Sequence, residues 1–257
     1  MRVLSILLII GTCYCLNVKH MAIISSIVSS YFISPSIILA ADEPRITSQV
    51  YLDITINRSK QPDKVAVGLY GDEAPESSKY FIGICKGELK GVSYDGAMVS
   101  KIIKDKEITF GKFALGSSQK QETWMDGAGK VRLRNVNLAD SAVHNDDNSL
   151  THVTGSLSIP KGGGSFEFSI IPKTNPELDK DHLVIGKVLS GIDVVSKINS
   201  VPVTREDILG SKNGFSSVGK AFDARAKLAS VNKPLQRIQI KSCSVDEKAS
   251  LTSFLKF

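Results

Sequence analysis

His152–Ile198 reads HVTGSLSIPKGGGSFEFSIIPKTNPELDKDHLVIGKVLSGIDVVSKI, and its periodicity decides the fold class. Leu157 and Ile159 alternate with Ser156 and Ser158; Phe166, Phe168 and Ile170 alternate with Glu167 and Ser169. A two-residue period of this kind marks strands with one face in a core. Val184, Ile185 and Val188 form a third apolar run. Pro160-Lys-Gly-Gly-Gly164 predicts the turn between the first two strands, because glycine takes positive φ without steric cost. After Gly191, the spacing of Ile192, Val195 and Ile198 predicts a helix.

Upstream the pattern is the same. In Gln49–Asn57 the apolar Val50, Leu52, Ile54 and Ile56 oppose Tyr51, Asp53 and Thr55, and Val65, Val67 and Leu69 follow a polar turn, so the two segments predict a hairpin. Asp72-Glu-Ala-Pro75 predicts a helix start, with acids near the positive end and proline in the first turn, and Gly87 predicts its end. Its buried stripe is Tyr80, Phe81, Ile84 and Cys85. Tyr94–Ile103 and Ile108–Phe113 predict two paired strands. Residues 114–150 are polar and turn-rich, with Trp124 isolated among Gly, Asp and Lys. Downstream, residues 204–232 predict a helix around Val218, Phe222 and Leu228, and Leu235–Cys243 a last strand.

Composition bounds the function. Of 257 residues, 42% are hydrophobic and 23% charged, ordinary for a globular chain. The net charge of +6 drops to +4 without residues 1–41, which hold Arg2, Lys19 and no acid. No Lys/Arg run interleaves with aromatics, so nucleic-acid binding is not expected. Cys13 and Cys15 lie in the N-terminal apolar segment. Cys85 and Cys243 match no zinc spacing; one disulfide is open to them, but buried free thiols are the expectation. His144-Asn-Asp-Asp147 reads as a solvated loop rather than a metal site, and Gly162–Gly164 lacks the Gly-Lys-Ser/Thr continuation of a phosphate loop. No metal and no cofactor are expected.

Residues 1–41 carry two apolar stretches and end in Ile38-Leu-Ala-Ala41 before Asp42-Glu-Pro44, which predicts a cleavable export signal, with an uncleaved membrane anchor as the alternative. A linker over 42–47, a domain over 48–244 and a tail over 245–257 complete the expected organisation. Asn57-Arg-Ser59 is a glycosylation acceptor pattern that matters only in a secretory chain.

The motifs H152-x-T-G-x-L-S158, G164-S-x-x-F168, L178-D-x-x-H-x-V-x-G-x-V188 and G191-x-D-V-V-x-K-I198 occur in one order, preceded by Tyr80-Phe-Ile-Gly-Ile-Cys-Lys-Gly-Glu88. Together they resemble the cyclophilin family of peptidyl-prolyl cis-trans isomerases. The resemblance implies an all-β-dominated fold: a closed eight-stranded antiparallel barrel capped by two helices, with an extra helix before the last strand. The insertion Gly219-Lys-Ala-Phe-Asp-Ala-Arg-Ala-Lys-Leu-Ala229, then Asn232-Lys-Pro-Leu235, is similar to plant cyclophilins of the thylakoid lumen. That similarity implies the lumen as location, the secretory pathway being the alternative.

What the resemblance implies for the site departs from the family at several positions. The family's key arginine falls at Lys101 and its glutamine at Thr109, while His182 keeps the histidine; these three are the candidate catalytic residues. A turn phenylalanine falls at Lys106, an alanine at Pro160, a pocket phenylalanine at Phe168 and a tryptophan–leucine pair at Glu177-Leu178; these five are the candidate substrate-binding residues. A lysine carries the arginine's charge without its planar fork of donors. The expectation is therefore a weak prolyl isomerase assisting protein folding, soluble and monomeric once processed, with proline-containing polypeptides as partners. The alternative is an inactive module that binds a proline-containing segment or assembly partner.

Overall fold

The computed structural model describes residues 43–114, 117–125, 131–138, 146–161, 166–204 and 231–246. The targeting segment, His144, the glycines of the 162–164 turn, the helix expected around Val218, Phe222 and Leu228, and most of the tail lie outside the described residues.

Alternation closes the barrel. Its strands are β1 (Ser48–Ile56), β2 (Asp63–Leu69), β3 (Met98–Ile103), β4 (Glu107–Lys112), β7 (Ser156–Pro160), β8 (Phe168–Ile170), β9 (His182–Ser190) and β10 (Ile238–Asp246). They close in the order β1-β10-β3-β4-β8-β7-β9-β2, and every pairing is antiparallel. The eight-stranded antiparallel expectation holds. Val50, Leu52, Ile54, Val67, Ile185 and Ile240 turn inward with no accessible surface. Burying each such side chain stabilises the fold by about 1.5–3 kcal/mol relative to leaving it exposed. Gly186 is needed where β9 meets β2, since a Cβ there would collide with the Gly68 carbonyl oxygen.

Two helices flank the barrel. Helix α1 (Pro75–Cys85) packs on β10, and α2 (Ile192–Asn199) on β2. Pro75 opens α1 as expected, but Ala74 offers no cap. Instead the Asp146 carboxylate accepts from the backbone N–H groups of Ser77 at 2.6 Å and Glu76 at 3.3 Å. It satisfies amides that the helix start leaves free. Gly191, at φ 88, gives the left-handed turn into α2. No helix among the described residues is long and apolar enough to cross a membrane.

Three expectations change. Cys85 and Cys243 are not free thiols: the last residue of α1 meets β10 with Cα atoms 5.2 Å apart, and the pair is a disulfide. Their separation of 158 residues hides a contact that only closure of the barrel creates. Second, the polar stretch after Lys120 is not all turn. β5 (Gln121–Met125) and β6 (Val131–Asn135) form a two-stranded sheet of their own, with which no barrel strand among the described residues pairs. Third, β10 runs on to Asp246, past the point where the tail was expected to begin.

Candidate functional site

The site forms on the outer face of β3, β4, β8 and β9. Along β4, Ile108 and Phe110 turn into the barrel, which sends Glu107 and Thr109 outward. Lys101 of β3 lies directly across from Thr109, and Ser169 of β8 lies across from it on the other side. His182 starts β9 opposite Pro160, at the end of β7. The β3–β4 turn is fixed from α2: Asn199 Oδ1 accepts from the Asp105 amide at 2.9 Å, and Asn199 Nδ2 donates to the Asp105 carboxylate at 2.8 Å.

Phe168 is not in this site. It sits in the barrel core with no exposed surface, stacked on Phe110 at 4.9 Å and packed edge-on against Phe81 and Tyr94. The period of two decides this: when Phe168 and Ile170 face inward, Ser169 is the β8 residue facing out. The aromatic wall expected from Phe168 is replaced by a hydroxyl.

At the centre is Glu107, which none of the sequence motifs singles out. Its Oε1 accepts from Ser169 Oγ at 2.8 Å and Thr109 Oγ1 at 3.0 Å, and its Oε2 lies 3.4 Å from Lys101 Nζ. Thr109 thus points at a carboxylate instead of reaching for substrate. Burial alone would push the Glu107 carboxyl up, but Lys101, the two hydroxyl donors and, once protonated at low pH, the His182 ring outweigh it and hold the group at about 2. Lys101 is the more open partner, with its side chain 37% exposed, so its ammonium borders both solvent and the buried carboxylate.

His182 is buried, with Nε2 3.7 Å from Glu107 Oε1 and 3.3 Å from Arg132 Nη1. A guanidinium can only donate, so this contact makes Nε2 the acceptor and puts the ring proton on Nδ1. Burial lowers the imidazole to about 3 against the pull of Glu107, so the ring is neutral at ordinary pH. Its neighbour His152 stands edge-on at 6.3 Å and holds Asp179 through Nδ1 at 2.5 Å. Asp179 belongs to the 3-10 turn Pro176–Lys180, and so steadies the buried Leu178 beside the site.

Arg132 comes from β6, together with a tie to a second carboxylate. Glu167 Oε2 accepts from the Leu133 amide at 3.0 Å, and Oε1 from Ser100 Oγ at 3.3 Å. Burial raises Glu167 to about 7, although Leu133, Arg132 and Lys101 pull it down. At the rim, Lys106 and Glu177, both expected to line the site, pair with each other at 2.9 Å. The lysine thereby holds Glu177 below the usual carboxylate range. A pair this exposed is screened by solvent and adds little to stability. No group of three His, Cys, Asp or Glu side chains among the described residues could hold a metal.

The structure thus gathers Lys101, Thr109, Pro160, Leu178 and His182, leaves Lys106 and Glu177 at the edge, and removes Phe168 to the core. It adds Glu107, Ser169, Glu167 and Arg132. The arrangement offers a fixed cation over a buried anion.

The closed barrel with its two helices defines a cyclophilin-like fold, and comparison with known sequences agrees. The family model described as "Cyclophilin type peptidyl-prolyl cis-trans isomerase/CLD" matches residues 51–245. The chain belongs to the cyclophilin-type peptidyl-prolyl cis-trans isomerase family and, with it, to the isomerases. It is similar to peptidyl-prolyl cis-trans isomerase CYP26-2, chloroplastic, of Arabidopsis thaliana, at 28% identity over 80% of this chain and 72% of that one. It is also similar to peptidyl-prolyl cis-trans isomerase cyp11 of Rhizopus delemar, at 27% identity over 63% of this chain and 47% of that one. The chain therefore spans about half the length of the second relative.

Proposed function

We propose that this protein is a prolyl isomerase of low activity that acts on proline-containing polypeptides and uses Lys101 as its electrostatic group. The observation that carries the reading is the placement of Lys101: half-open to solvent, directly across from Thr109, and fixed 3.4 Å from a carboxylate at the centre of the site face. Rotation about an X-Pro bond faces a resonance barrier of about 18–20 kcal/mol. As resonance is lost the proline nitrogen gains a lone pair, and a donor already in place stabilises that charge without covalent chemistry. The Lys101 ammonium supplies the donor, while Leu178, Pro160 and the neutral His182 ring form the less polar side against which a proline ring rests.

Two features hold the activity down. Glu107 neutralises much of the field of Lys101, and an ammonium lacks the two-pronged grip of a guanidinium. A second reading, binding without turnover, is favoured by the polarity of the face itself, where Glu107, Thr109 and Ser169 stand in place of an apolar wall. For location, the chloroplastic relative supports a plastid protein, and the apolar segment ending at Ala40-Ala41 fits a cleavable export signal. Within the plastid we assign it to the thylakoid lumen, where it assists folding once the N-terminal segment has been removed.

A protease-coupled assay of the full chain on an X-Pro tetrapeptide tests the reading. Wild type is expected to accelerate isomerisation weakly, Lys101→Met to fall to the uncatalysed rate, and Lys101→Arg to gain roughly tenfold in kcat/KM, about 1.4 kcal/mol. No acceleration by either wild type or Lys101→Arg, from folded protein, would favour the binding reading.

A further inference from the structure

The outer face of a barrel is ordinarily wet, yet Glu107, Thr109, Ser169 and His182 are each at most 3% exposed. Against His182 and the neighbouring Glu167 lies the β5–β6 hairpin. Arg132, itself 5% exposed, sets its guanidinium against His182, and the Leu133 amide donates to Glu167. The hairpin is fastened at its root as well. Gln121 Oε1 accepts from the Phe113 amide at 2.7 Å, and Gln121 Nε2 donates to the Gly111 carbonyl.

We propose that this hairpin is a self-inhibitory strap and that Arg132 is the residue deciding what enters, its guanidinium occupying the place beside His182 that a substrate proline would take. Three observations support this. The less polar side chains against which a proline ring would rest, His182, Pro160 and Leu178, are buried, while Lys101 alone of the proposed site stays half-open. The cover is a separate two-stranded sheet, so lifting it breaks no strand pairing of the barrel. Its ties to the barrel include Gln121 at the root and Arg132-Leu133 toward the other end, so a movement that frees Arg132 and Leu133 uncovers His182. The buried Arg132 cannot itself be the donor that meets substrate while the strap is closed, whereas its removal uncovers His182 without touching Lys101. The proposal rests on the isomerase reading only for what the uncovered site then does.

The test measures binding separately from turnover. An X-Pro tetrapeptide is titrated into the full-length wild type, Arg132→Ala and Gln121→Ala, the last altering a root fastening away from His182. Binding is followed by amide chemical shifts and turnover by the protease-coupled assay. Both variants are expected to bind the peptide at least tenfold tighter than wild type. In wild type, saturating peptide should speed hydrogen exchange at the Leu133 amide, since the strap must leave Glu167. Unchanged or weaker binding in Gln121→Ala, or Leu133 exchange that is unmoved or slowed by peptide, would overturn the strap. Should Arg132→Ala fail to fold, Gln121→Ala and Leu133 exchange decide the question by themselves. Tighter binding without turnover would keep the strap and remove the catalytic role of Lys101. Turnover equal in all three proteins, with equal binding, would remove the strap and keep the catalyst.

Discussion

Replacing Glu107 with glutamine isolates the charge at the centre of the site. The amide has the same size, and its oxygen can still accept from Thr109 and Ser169, so the change removes the anion facing Lys101 and little else. The carboxyl is held at about 2 against an ordinary 4.5 and is almost wholly buried, so solvent screening takes little away. At about 1.4 kcal/mol per unit, the ionised group stabilises the folded state by about 3 kcal/mol at pH 7. The sign follows from a depressed acid: the contribution is complete above pH 4.5 and is lost as the pH falls toward 2. Urea unfolding of wild type and Glu107→Gln, followed by circular dichroism, should give a difference of about 3 kcal/mol at pH 7 that shrinks to about half at pH 3. A difference that stays the same at both pH values would refute the argument, because it would place the effect in packing rather than in charge.

Glu167, on the same face, carries the opposite slope. Its carboxyl is raised to about 7, chiefly by burial, so the native state holds a proton that the unfolded chain releases near 4.5, and stability falls as the pH rises between those values. Thermal unfolding of Glu167→Gln should therefore show it gaining on wild type by about 2 kcal/mol from pH 5 to pH 8; parallel curves would contradict this. The Cys85–Cys243 bridge closes a loop of 158 residues. On the chain-entropy account, its loss through the paired change Cys85→Ala and Cys243→Ala should lower stability by about 5 kcal/mol. A reductant should destabilise wild type but not that variant, and equal sensitivity of the two would count against the bridge.

The barrel was legible because alternation is a local property. Val50, Leu52 and Ile54, or Leu157 and Ile159, announce their inward face within a few residues, and Pro75 and Gly191 mark helix starts without help from the rest of the chain. The site was only half legible. Lys101, Thr109 and His182 could be placed because motifs of fixed spacing carry them. Phe168 takes a pocket position by resemblance, yet the same alternation, continued one step to Ser169, sends it to the core. Glu107 does carry a usable signal: an acid two residues before Thr109 shares its face and meets Lys101 across a tight turn. Arg132 carries none, because its stretch has neither period nor turn chemistry that points at His182 fifty residues on. The disulfide is hidden for the same reason, its partners meeting only after β10 closes against β1 and α1.

The most direct test of the central claim, that Lys101 gives this polar site a low isomerase activity, is the protease-coupled rate of the Gln121→Ala protein with and without Lys101→Met. With the strap loosened and the site side chains intact, the account predicts clear acceleration of X-Pro isomerisation that disappears when the ammonium is removed. Acceleration that survives Lys101→Met undiminished would contradict it.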